Sequence, residues 1–138
     1  MHLTELAQNL PLAFAALFVA ILFLQSGLDK VFNYRGNLEW LTGHFSKTFL
    51  AKMVPMMLAT VTVMEVATGL VAAIGLVWFA VTGAAFLLFY ASIVGAASLT
   101  ALFFGQRVAQ DYPGAAVLVP YFILLLILMH LSRAVTQV

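Results

Sequence analysis

Apolar residues along this chain fall into long continuous runs, and polar residues collect in a few places between them. Four apolar segments result, at about 10–30, 53–74, 76–104 and 115–134. Each is close to or above the ~20 residues that cross ~30 Å of hydrocarbon at ~1.5 Å per residue. Hydrocarbon offers no water to backbone N–H and C=O groups, so each segment is predicted to be a helix that satisfies its own backbone. Barrel strands, which alternate with a period of two, do not fit such runs. The predicted fold is an all-α membrane protein: a single transmembrane domain over 1–138, with four transmembrane helices in one bundle.

The boundaries carry their own signals. Asn9 is placed to cap the first helix, with Pro11 tolerated in its first turn. Pro55 falls in the first turn of the second. Gly75 reads as the break between the second and third segments, with Trp78 anchoring that hairpin at the head groups. The stretch "GQRVAQDYPG" (105–114) is a polar turn, and Pro120 predicts a kink inside the fourth helix. The connection "DKVFNYRGNLEWLTGHFSKTFLAK" (29–52) mixes charge with large apolar residues. Leu38, Trp40, Leu41, Phe45, Phe49 and Leu50 follow helical spacing roughly, which predicts a short amphipathic helix at the interface, about 36–50.

Composition supports the membrane reading. The chain is 64% hydrophobic and 8% charged, against about 25% charged in soluble domains. A net charge of +1, with no basic cluster, gives no reason to expect a nucleic-acid partner. Zero cysteines exclude disulfides, thiolate metal sites, iron–sulfur clusters and covalently attached haem. Residues 1–10 hold no Lys or Arg, so the first apolar segment reads as a span and not as a cleaved signal. Lys30, Arg35, Lys47, Lys52 and Arg107 fall on one side of an even number of spans, against Arg133 on the other. The positive-inside rule then places both termini outside.

Candidate chemistry begins with Glu65, in "VTVMEVATGL" (61–70). Counted from Met53 it lies ~18 Å in, near mid-depth, where a charge costs ~2.5–3.5 kcal/mol. The reading is an uncharged carboxyl that donates a hydrogen bond within the bundle, with Tyr90 and Ser92 as its candidate neighbours. Its role is either functional or one of packing, the latter worth about 0.6 kcal/mol. A second polar cluster, Gln25, Asp29 and Lys30, lies in "LQSGLDKVF". Gln25 and Asp29 share a helix face, and Lys30 marks the membrane exit. Such a cluster could receive a quinone head group, or it is a helix end meeting water with Asp29 paired to a nearby cation. His2 and His130 fall near one face and His44 near the other, so no metal or haem site is expected of them. Gly27, Gly75 and the spaced pairs Gly69 with Ala73, Ala91 with Gly95, and Ser92 with Ala96 allow close helix approach. They suit the spans to other membrane subunits or to a second copy.

"QSGLDKVF" (25–32) resembles the signature that closes the first helix of DoxX-family proteins. "MEVATGLVAAIGL" (64–76) resembles the family's second-helix motif. Gly27, Lys30, Glu65, Gly69 and Gly75 are the matching positions. The likeness covers about the first two thirds of the chain; the fourth segment lacks the family's glycine-rich, aspartate-bearing ending, and the basic residue after the second helix is missing. The resemblance implies a prokaryotic cytoplasmic (inner) membrane protein of the kind found beside an archaeal terminal quinol oxidase and thiosulfate:quinone oxidoreduction. The expected role is a mainly structural accessory subunit of a quinone-linked oxidoreductase, without catalytic residues, touching lipid, partner subunits and a quinone. The alternatives are a stand-alone quinone-reactive enzyme, or a small transporter or proton pathway using Glu65.

Overall fold

The computed structural model describes residues 3–136, and among these every regular element is helical. A short α1 (Leu3–Gln8) leads into α2 (Leu10–Phe32), and α3 (Tyr34–His44) follows. An irregular stretch and one 3-10 turn (Ala51–Met53) lead to α4 (Val54–Thr82), α5 (Phe86–Val108) and α6 (Tyr112–Thr136). Four helices, α2, α4, α5 and α6, are long and apolar enough to span a membrane. They are packed together as one bundle.

Several predicted boundaries move. Asn9 does not cap α2 with its side chain; its Nδ2 donates back to the Glu5 carbonyl at 2.7 Å. Pro11 and Pro55 do open α2 and α4, where a missing N–H costs no intrahelical bond. The interfacial helix is α3, which ends at His44 instead of reaching residue 50. Pro120 lies inside α6, which continues through it. The 105–114 turn is where expected, and Asp111 caps α6 by accepting the Gly114 N–H on Oδ1 at 3.0 Å.

Gly75 breaks nothing, contrary to the expectation from sequence. α4 runs through it to Thr82, so the second span is 54–82 and the third is 86–108. Gly75 is buried against α5, where a Cβ would sit 3.0 Å from Leu87 Cβ and 3.2 Å from the Leu88 nitrogen. The turn comes at Gly83, whose φ of 78° lies in the left-handed region that favours glycine. Trp78 lies in the last turns of α4, edge-on to Phe86 at 6.5 Å.

The four spans form a ring. α2 packs on α4, α4 on α5, α5 on α6, and α6 closes back on α2. Their shared core includes Leu12, Val19 and Phe23 of α2, Ala72 and Phe79 of α4, Leu88 and Leu99 of α5, and Leu125 and Leu128 of α6. α6 is the least buried of the four. A smaller cluster, Phe45, Leu50 and Val54, ties the connection to the first turn of α4. That connection and the 105–114 turn meet at one end of the bundle, the charged end.

Candidate functional site: a buried ion pair between two spans

Two glycines set the approach of α2 to α4. A Cβ on Gly27 would lie 2.8 Å from Val66 Cγ2 and 2.9 Å from the Val66 nitrogen. A Cβ on Gly69 would meet the Leu24 nitrogen at 2.7 Å. Backbones this close let short side chains reach across the interface. Ser26 and Lys30, four residues apart, share the face of α2 turned toward α4. Opposite them stands Glu65.

The three side chains close a small network. Lys30 Nζ lies 3.0 Å from Glu65 Oε2 and donates to Ser26 Oγ at 3.0 Å. Ser26 Oγ donates to the same Glu65 Oε2 at 2.8 Å. The Glu65 side chain is 3% exposed and that of Lys30 17%. Glu65 Oε2 thus accepts from both partners, where the sequence predicted a carboxyl that donates within the bundle. The physical reason is the ammonium: Lys30 lays its apolar stem along α2 and turns its head inward. Charge-assisted hydrogen bonds are about twice as strong as neutral ones. The arrangement fastens α2 to α4, since taking away one partner strands a charge away from water.

The depth of Glu65 also differs from expectation. The Gly27–Val66 and Gly69–Leu24 contacts fix an antiparallel register that sets Glu65 level with the last two turns of α2. It therefore lies about one turn, ~5–7 Å, from where α2 ends, nearer the charged end than mid-depth. Counting from Met53 placed it too deep, because the first turns of α4 overrun α2 and pack against the connection.

The other predicted residues separate. Tyr90 is 57% exposed and sits among Phe86 and Phe89 on the outside of α5, with no hydrogen bond to Glu65. Ser92 is buried, and its hydroxyl bonds the Phe89 carbonyl of its own helix. Gln25 and Asp29 are exposed. Asp29 takes a long 3.4 Å bond from Asn37 Nδ2 in place of a cation. Lys30 belongs to Glu65 and not to that pair. Ala91 and Gly95 are buried in the bundle and Ala73 packs against its core. A Cβ on Gly95 would meet Leu125 Cδ1 at 2.7 Å and Thr68 Cγ2 at 2.9 Å.

Three features were not singled out in the sequence. Ser26 stood inside the quoted motif, and its four-residue spacing from Lys30 was the available signal. Ser98 is fully buried, and its hydroxyl has no hydrogen-bond partner among the described residues. The Thr68–Gly95 contact, one turn away on each helix, puts it near the level of Glu65. At the charged end His44 Nε2 lies 2.8 Å from Gln106 Oε1 and 3.8 Å from Asp111 Oδ2, joining α3 to the turn after α5. Among the described residues no group of three or more His, Asp or Glu is gathered as for a metal ion. His2 lies outside the described residues. No family model, no curated protein and no solved structure matches this chain.

Proposed function

We propose that this chain is a mainly structural accessory subunit of a quinone-linked oxidoreductase in a prokaryotic inner membrane, with the charged end inside and both termini outside. The observation that carries the structural part is the Lys30–Ser26–Glu65 network. Its charges answer one another across α2 and α4, which suits a fastener between spans. A second support is the outer face of α6, the least buried span, where Val117, Ile123 and Ile127 are exposed. That face can meet lipid, another subunit or a second copy. The quinone link rests on the DoxX-like stretches 25–32 and 64–76, and on the exposed Gln25 and Asp29 beside the ion pair. Lys30, Arg35, Lys47, Lys52 and Arg107 on one side support the orientation.

One observation favours a second reading, a proton pathway. Glu65 Oε1 accepts no hydrogen bond from a described residue, and the buried Ser98 hydroxyl near its level has no partner.

Extraction from native membranes under mild conditions, followed by subunit and quinone identification, tests the first reading. Co-isolation with redox subunits and a quinone is expected. Recovery alone, with neither, overturns it. Proton flux in vesicles that disappears in Glu65→Gln would favour the second reading.

A further inference from the structure

At the charged end, the stretch after α3 and the turn after α5 face each other across a cleft of about 640 Å³. His44, Lys47, Thr48, Phe49 and Gln110 are among its walls; the Asp111 carboxylate lies behind His44, with Oδ2 3.8 Å from Nε2. The walls are held at a fixed separation. His44 bonds Gln106 across the gap, and Trp40 stacks on the imidazole with ring centres 4.4 Å apart. On the other wall the α5 terminus closes with Asp111 N–H donating to the Gln106 carbonyl and Gln110 N–H to that of Arg107. This is the Schellman pattern, whose left-handed position is usually glycine. Here it is Gln110, at φ 59°, so an amide side chain stands where glycine would leave none.

Several donors of the residues that line the cleft have no partner among the described residues. Lys47 makes no ion pair or hydrogen bond with its ammonium among the described residues. The backbone N–H groups of Lys47 and Phe49 likewise reach no acceptor among them. Ser46 and Thr48 turn their hydroxyls inward, onto the Gly43 and Phe45 carbonyls. An ammonium beside unpaired N–H groups in a concave loop is a setting for an anion. The neighbouring side chains are apolar and outward: Phe49 is 73% exposed at the rim, with Trp40 and Met53 exposed on the same connection. Side chains of that kind at the end of membrane spans belong among acyl chains.

We infer that this cleft binds the phosphate of an anionic phospholipid head group. Lys47 and the N–H groups of Lys47 and Phe49 hold the phosphate, and the Phe49 ring lies against the acyl chains. The site is separate from the Lys30–Glu65 network and stands whether or not the accessory-subunit reading does.

Native mass spectrometry of the full chain, with phosphatidylglycerol, phosphatidylcholine and inorganic phosphate as probes, tests it. Phosphatidylglycerol is expected to be retained over phosphatidylcholine. Lys47→Gln should weaken that retention about tenfold, the loss of one hydrogen bond to a charged group. Lys52→Gln removes the same charge outside the cleft walls and should leave retention unchanged. Equal retention of both lipids overturns the proposal, and so does an equal effect of the two substitutions. Displacement of the lipid by inorganic phosphate makes the cleft a site for a free anion and overturns the lipid assignment.

Discussion

Lys30 Nζ and Glu65 Oε2 lie 3.0 Å apart across the α2–α4 interface, with Ser26 bonded to both. Coulomb attraction grows as water is excluded, while stripping water from each charge opposes it. The pair resolves this conflict by position. It lies within the last two turns of α2, where the Lys30 stem reaches toward the interface and keeps part of its hydration. A carboxylate further in, with no cation, would have to be neutral or absent.

The close approach that builds the pair depends on Gly27. Gly27→Ala would put a methyl 2.9 Å from the Val66 nitrogen, which the backbone can relieve only by moving α2 away. We expect a loss of about 1–3 kcal/mol in unfolding from detergent micelles or bicelles. Gly43→Ala, where a Cβ meets nothing within 4 Å, is the control and should cost no more than about 0.5 kcal/mol. Equal losses at both positions would contradict the packing described.

Ser98→Ala is expected to stabilise the bundle. The hydroxyl is fully buried and unpartnered, so its removal relieves a desolvated group at little cost in volume. The gain should be on the order of 1 kcal/mol, read as a raised unfolding midpoint. A clear loss of stability would mean that the hydroxyl has a partner in the membrane, such as a bound water near Glu65.

Tyr90→Phe should change stability by no more than about 0.5 kcal/mol, because the Tyr90 hydroxyl makes no bond to Glu65 and the side chain is 57% exposed. A drop comparable to that of a broken buried hydrogen bond would restore Tyr90 as a neighbour of the carboxyl.

The turn between α4 and α5 is testable because the chain has no cysteine. In vesicles, a water-soluble maleimide should label Ala84→Cys, beside the left-handed Gly83. Ile74→Cys, in the body of α4, should stay unmodified, since a thiol in hydrocarbon does not ionise and only the thiolate reacts. Labelling at 74 and not at 84 would put the turn back at Gly75.

The four spans were legible in the sequence because only continuous apolar runs of this length suit lipid, and the runs are long. The 82–85 turn was not. "TGAA" is nearly as apolar as its flanks, and a glycine in a helix interior looks the same in sequence as one that ends a helix. Gly75 and Gly83 are told apart by what they meet: one faces Leu88, the other turns left-handed. The site was half legible. Glu65 stood out as a charge in an apolar run, and Gly27 as a packing glycine. Lys30 reads in sequence as the end of a span, because the direction of a long side chain depends on which residues of α4 lie opposite. Only the register of two helices distant in sequence supplies that. Ser98 was hidden for a related reason, since a lone serine in an apolar segment gives no sign of which way it points.

The Lys30–Glu65 pair is a favourable link in the assembled bundle, and a double-mutant cycle in bicelles measures that directly. Lys30→Met, Glu65→Gln and the double variant would be compared by reversible unfolding. We predict a favourable coupling of about 1–3 kcal/mol, with the double variant no worse than the poorer single one. A coupling indistinguishable from zero, with the two losses simply adding, would contradict the pairing and with it the role assigned to Glu65.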